Sequence, residues 1–164
     1  MPDDIRSVAR VLARTLLAAI AVGPLSGCEV ASSEAAWKSA TLQVYKTPTC
    51  GCCEKWIESL EAEGLRVVAK DLPSLTRVKA EHGVPRALES CHTATVEGYV
   101  VEGHVPAEDV KRLLVERPAL SGLAVPGMPL GSPGMEHPDP SRHERYAVLG
   151  FGPDGVGVFA RHEP

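Results

Sequence analysis

The stretch from Thr41 to Gly64, TLQVYKTPTCGCCEKWIESLEAEG, constrains the fold more than any other part of the chain. Thr41 to Tyr45 alternates, with apolar side chains at 42 and 44, which is the period of a β-strand. Thr47-Pro48-Thr49 breaks it. Cys53, Trp56, Ile57 and Leu60 then recur at the i, i+3, i+4, i+7 spacing of one helical face, and Gly64 closes the helix. A strand that leads at once into an amphipathic helix belongs in a layered α/β fold, where the helix buries its apolar stripe on a sheet. Cys50, Cys52 and Cys53 sit at the junction.

The same alternation continues. Leu65 to Ala69 reads as a second strand, and Asp71 to Glu81 as a second helix with Asp71 as its cap and Gly83 as its terminator. Cys91 to Val96 and Tyr99 to Val105 flank Glu97-Gly98 and predict a hairpin with a two-residue turn. Pro106 to Glu116 predicts a last helix, with Val110, Leu113 and Leu114 inward. The order β-α-β-α-β-β-α is that of the thioredoxin fold, here spanning residues 41–118. An extension follows over 119–164. Its first part, Leu120 to Ser141, is rich in Pro and Gly and repeats Pro126-Gly127-Met128 as Pro133-Gly134-Met135. That part is too irregular for a helix or strand, and its length predicts a functional loop. Tyr146 to Phe151 and Val156 to His162 predict a closing hairpin around Pro153-Asp154-Gly155.

The start of the chain has another character. Arg6, Arg10 and Arg14 precede the apolar run Leu16 to Val22, which is too short to span a bilayer and has the shape of a secretory signal. Leu25-Ser26-Gly27-Cys28 resembles the bacterial lipobox, so residues 1–27 are expected to be removed and Cys28 to carry lipid, with 28–40 as a polar tether. An ordinary cleaved signal or an uncleaved anchor helix is the alternative. Either way the thiols meet an oxidising compartment. Glu29 in place of an aspartate after Cys28 points to the outer membrane. The formal charge of −4, without a basic stripe, argues against a nucleic-acid partner. A monomer is expected.

Cys50 and Cys53 form a C-x-x-C pair at a helix N-terminus, where exposed N–H groups and the helix dipole favour thiolate over thiol. In a thiol-disulfide oxidoreductase Cys50 is the nucleophile and Cys53 the resolving thiol, which leaves Cys52 without a task. Adjacent thiols such as Cys52 and Cys53 are poorly placed to chelate one ion, but thiolate sulfur bridges two. Three clustered thiolates therefore point to a multinuclear soft-metal site. The hairpin register sets Cys91 opposite His104 and His92 opposite Gly103, and a thioredoxin arrangement brings the open end of that hairpin beside the cysteine loop. Glu89-Ser90-Cys91-His92 stands where a thioredoxin carries a cis-proline, which weakens the disulfide-reductase reading.

Thiolate, imidazole and thioether together select copper(I) over hard cations. Met128 and Met135 are then thioether donors or a lid, and zinc is the competing ion. Plainer roles stand beside these. Four cysteines other than Cys28 suffice for two structural disulfides, although three within four positions make awkward partners. His92 fits a hydrogen-bonded strand residue, Met128 and Met135 loop packing, and Trp56 core. His82 fits a helix C-terminus, and His137, His143 and His162 fit the surface.

The segments TPTCGCCEKW, GVPRALESCHTATVEGYVVEGHVPAEDVKRLL and GLAVPGMPLGSPGME, in this order, resemble the CopG-type copper-resistance proteins of Gram-negative bacteria. These were long known only as a domain of unknown function, and are unrelated to the DNA-binding repressor of the same name. The resemblance covers roughly residues 41–160. It implies a thioredoxin-like domain whose C-terminal extension contributes to metal binding. It also implies a cluster of several copper ions bridged by the C-x-C-C cysteines, cycling between Cu(I) and Cu(II), and a redox role in periplasmic copper handling alongside other copper-handling proteins. Carried residue by residue, it favours Cys50, Cys52, Cys53 and Cys91 as the thiolate set. It supports a part for the methionine loop, and leaves open which of His92, His104, Met128 and Met135 touch metal.

Overall fold

A computed structural model of the chain describes residues 35–164. The expected signal segment, Cys28 and the first part of the tether lie outside the described residues. Among the described residues no helix is long and apolar enough to cross a membrane.

The elements follow the alternation of the sequence: β1 (Thr41–Lys46), α1 (Gly51–Ala62), β2 (Arg66–Asp71), α2 (Thr76–Glu81), β3 (Thr93–Val96), β4 (Tyr99–Glu102) and α3 (Ala107–Glu116). Three more strands come from the extension: β5 (Gly122–Ala124), β6 (Tyr146–Gly152) and β7 (Gly155–His162). All seven share one sheet in the order β2-β1-β3-β4-β5-β6-β7. The mixed α/β class and the β-α-β-α-β-β-α order predicted for 41–118 are those observed.

The two faces of the sheet bury different sets of side chains. Leu42 and Val44 of β1 point to the face that receives Trp56, Ile57 and Leu60 of α1 and Val110, Leu113 and Leu114 of α3, the stripes that the helical period marks out. A smaller cluster of Val84, Leu88, Val100, Ala124 and Phe151 lies apart from it. The hairpin register is the predicted one: Thr93 pairs with Glu102 and Val96 with Tyr99. Glu97 and Gly98 take φ of 48° and 87°, the paired left-handed conformations of a two-residue turn that follows the strand twist.

Three expectations need correction. Asp71 ends β2 rather than capping a helix, because its carboxylate binds the buried Lys46 ammonium at 2.7 Å, and α2 starts five residues later. Residues 122–124, inside the stretch read as irregular, form β5, parallel to β4 with Val101 opposite Leu123. The edge of β4 away from β3 offers a row of free backbone groups, and three residues suffice to use it. The tether, lastly, ends inside the fold: residues 35–39 are helical, Trp37 is 1% exposed, and its indole N–H donates to Glu63 O at 2.6 Å.

Candidate metal centre

The N-terminus of α1 organises the site. Cys50 is its N-cap residue and makes no side-chain cap, so Cys50, Cys52 and Cys53 sit at the positive end of the helix dipole. Cys50 and Cys53 are joined as a disulfide, while Cys52 and Cys91 carry free thiols. Two structural disulfides, the plainer reading of the four cysteines, are therefore not what forms. The other sulfurs are close: Cys50 to Cys52 3.5 Å, Cys53 to Cys91 3.6 Å, Cys52 to Cys91 4.0 Å. All four Sγ atoms lie within 4.8 Å of one another, close enough to hold a metal ion.

Cys91 arrives from the hairpin, as the register requires. His104 Nε2 lies 3.0 Å from Cys91 Sγ, and His92 Nδ1 lies 3.3 Å from the same sulfur. Cys91, His92 and His104 thus form a second group able to hold a metal, with Cys91 common to both. His104 donates its Nδ1–H to Pro133 O at 2.7 Å, which leaves Nε2 with a lone pair aimed at the sulfur. Burial holds His104 below the usual histidine range, against the pull of that carbonyl. His92 is fully buried, its ring tilted against Trp56 at 4.1 Å between centroids, and its Nε2 has no hydrogen-bond partner among the described residues. Burial first, then the neighbouring His104 and Lys79, keep it well below the ordinary value, so it is neutral. The plain reading of His92 as a hydrogen-bonded strand residue accounts for Nδ1, beside Cys91 Sγ, but not for Nε2. Burial and the nearby Cys52 push the Cys91 thiol up to about 12, so without metal it keeps its proton.

The methionine loop divides. Met128 is half exposed, with Sδ 4.0 Å from Cys52 Sγ. Met135 instead lines a shallow cleft with Gly51, Cys52, Lys55 and Glu136. The loop seats closely on α1 at Gly134, where an added Cβ would stand 2.5 Å from Cys52 O and 2.8 Å from Trp56 N. Of the remaining histidines, His82 follows α2 as expected, and His137 and His143 interact within the extension. His162 is less free than a surface residue: Nε2 meets the buried Asp109 at 2.7 Å, and its ring stacks on Tyr146. Sequence reasoning passed over one group beneath the site, the ion pair of Lys79 and Glu102, because a lone Lys and a lone Glu carry no signal of pairing 23 residues apart.

Fold and site together define a class: a mixed α/β protein that gathers four cysteines, two histidines and a methionine at one helix N-terminus as a potential soft-metal centre. A family profile described as "Protein of unknown function, DUF411" matches residues 88–135. No curated protein matches the chain. Two solved structures, described as form 2 and form 1 of a copper resistance protein CopG, are each 44% identical to it, with TM-scores of 0.71 and 0.70. Each comparison covers 76% of this chain and 98% of the other. The chain belongs to the CopG family.

Proposed function

We propose that the protein binds copper as part of copper resistance, holding several Cu(I) ions on Cys50, Cys52, Cys53 and Cys91 at the start of α1. The observation that carries this is the gathering of those four Sγ atoms within 4.8 Å of one another, with His104 Nε2 3.0 Å from Cys91. Copper here is cargo. Soft thiolates with imidazole and thioether neighbours suit Cu(I), and a thiolate such as Cys91, common to two donor groups, suits bridging. His92 Nδ1, 3.3 Å from Cys91 Sγ, and the exposed Met128 Sδ are further donors at the margins, and Met135 belongs to the same loop as Met128. The two related structures add support, since both are of a copper resistance protein.

The Cys50–Cys53 disulfide sets a condition on this reading. Two electrons and two protons convert it to two thiols, and only then does the site offer four sulfurs to metal. Such coupling supports a redox role; a periplasmic setting, with a lipid at Cys28 holding the chain to a membrane, is the part of the proposal that rests on the sequence. Titrating the anaerobic, reduced protein with Cu(I) and measuring bound copper per chain tests the reading. We expect at least two ions per chain, falling in Cys52→Ser. A stoichiometry below one, unchanged in that variant, overturns it. Competition with Zn(II) under the same conditions separates copper from zinc.

The disulfide itself favours a second reading, a thiol-disulfide oxidoreductase using Cys50 and Cys53. That reading predicts insulin reduction that survives Cys52→Ser and Cys91→Ser. A passive metallochaperone shares the copper stoichiometry and differs by showing no change in copper oxidation state on turnover.

A further inference from the structure

Next to the cysteine site lies a buried ion pair. Lys79 of α2 is 6% exposed and Glu102, the last residue of β4, is fully buried. Burying two charges carries a desolvation cost that their attraction often only offsets, and apolar residues of like volume commonly serve stability as well or better. Stability alone is therefore a poor account of the pair. Its geometry gives a better one. Glu102 Oε1 accepts from the Lys79 ammonium and from the Ser90 backbone N–H at 2.6 Å. Glu102 Oε2 accepts from the Thr93 hydroxyl at 2.7 Å, and Lys79 Nζ also donates to that hydroxyl oxygen at 3.1 Å. The carboxylate thus grips the chain at Ser90 and at Thr93, and the two residues between these grips are Cys91 and His92.

Ser90 passes the restraint on. Its hydroxyl donates to Gly127 O at 2.5 Å, and the two residues form an isolated parallel bridge. The next residue, Met128, is the one whose sulfur stands 4.0 Å from Cys52 Sγ. We propose that Lys79 and Glu102 are positioning residues: the pair fixes Ser90, and through Ser90 it sets Cys91 and the Met128 loop against the cysteines of α1. A carboxylate suits this work because it offers two acceptor oxygens and no donor, and the groups around it are all donors. Lys79 supplies the countercharge. The functional part of this inference rests on the copper reading above; the geometric part does not.

Two double variants test it. Lys79→Met with Glu102→Leu removes both charges and the acceptor for Ser90 N–H. Lys79→Met with Glu102→Gln removes both charges but keeps an acceptor oxygen. Folding is checked by urea unfolding, and two readouts follow: alkylation of Cys91 by iodoacetamide in the reduced, metal-free protein, and Cu(I) affinity against a chromogenic chelator. In the Leu variant we expect Cys91 alkylation and Cu(I) dissociation constant each to rise about tenfold or more, the scale typical of residues that orient metal ligands. The Gln variant is expected to restore both towards wild type. A folded Leu variant that alkylates Cys91 at the wild-type rate overturns the proposal. Faster alkylation together with fewer than one Cu(I) per wild-type chain leaves the positioning role standing and removes the copper reading. If the Leu variant does not fold, hydrogen exchange of the Ser90 amide in the wild-type protein decides: protection supports the grip, and exchange at the unstructured rate overturns it.

Discussion

Replacing Gly103 by alanine is the sharpest steric test of how the site is built. Gly103 follows Glu102 with φ of 71°, and a Cβ there would stand 2.5 Å from Ser90 Oγ, 2.6 Å from Ser90 Cβ and 2.6 Å from Val125 O. Two costs add. A left-handed backbone costs an L-residue about 1–2 kcal/mol. Pushing Ser90 and the end of β5 apart is an overpacking problem, typically about 1–3 kcal/mol in a close-packed interior. Gly98, in the hairpin turn with φ of 87°, has nothing within 4 Å of its would-be Cβ, so Gly98→Ala carries the first cost alone. The excess of Gly103→Ala over Gly98→Ala is therefore predicted at about 1–3 kcal/mol in urea unfolding of the reduced, metal-free protein. Because the displaced residue is Ser90, only Gly103→Ala is expected to lower Cu(I) affinity. Two variants within about 0.5 kcal/mol of each other, the usual error of such comparisons, would refute the claim that Ser90 is clamped between Gly103 and the loop.

Other outcomes follow from the same contacts. Trp37→Ala removes a fully buried indole and its bond to Glu63 O, and is expected to cost about 3–5 kcal/mol by urea unfolding, a loss that a free tether would not produce. His92, held neutral well below its unfolded value, adds no pH dependence above about pH 6.5, but below it the unfolded state gains a proton that the native state refuses. Metal-free protein should thus lose stability as pH falls below about 6.5 on this account, measured as the difference between wild type and His92→Gln. In Met128→Leu, which keeps the bulk and removes the sulfur, Cu(I) affinity should fall while stoichiometry holds, and an X-ray absorption spectrum should lose scattering from one sulfur.

Much of the site was legible because its geometry is set by periodicity and counting. The helical stripe from Cys53 to Leu60 places three cysteines at an N-terminus, and a two-residue turn at Glu97-Gly98 is enough to bring Cys91 opposite His104. What escaped has physical reasons too. β5 is three residues long, below the length at which alternation speaks, and exists because β4 has an unused edge. Trp37 packs through one side chain in a polar segment. Lys79 and Glu102 read as solvated charges one at a time, and only the fold brings them together under Ser90.

The place of β5 in the sheet has a consequence for how this protein can be divided. A chain ending near Pro118 would hold every cysteine of the site, but it would leave β4, with Val100 and Val101 in it, as a bare sheet margin. Unpaired margins of that kind recruit strands from other molecules. The extension thus pairs the β4 margin as well as carrying Met128, and it moves the open edge of the sheet out to β7; a shortened chain should expose β4 to such pairing, which its association state in solution would show.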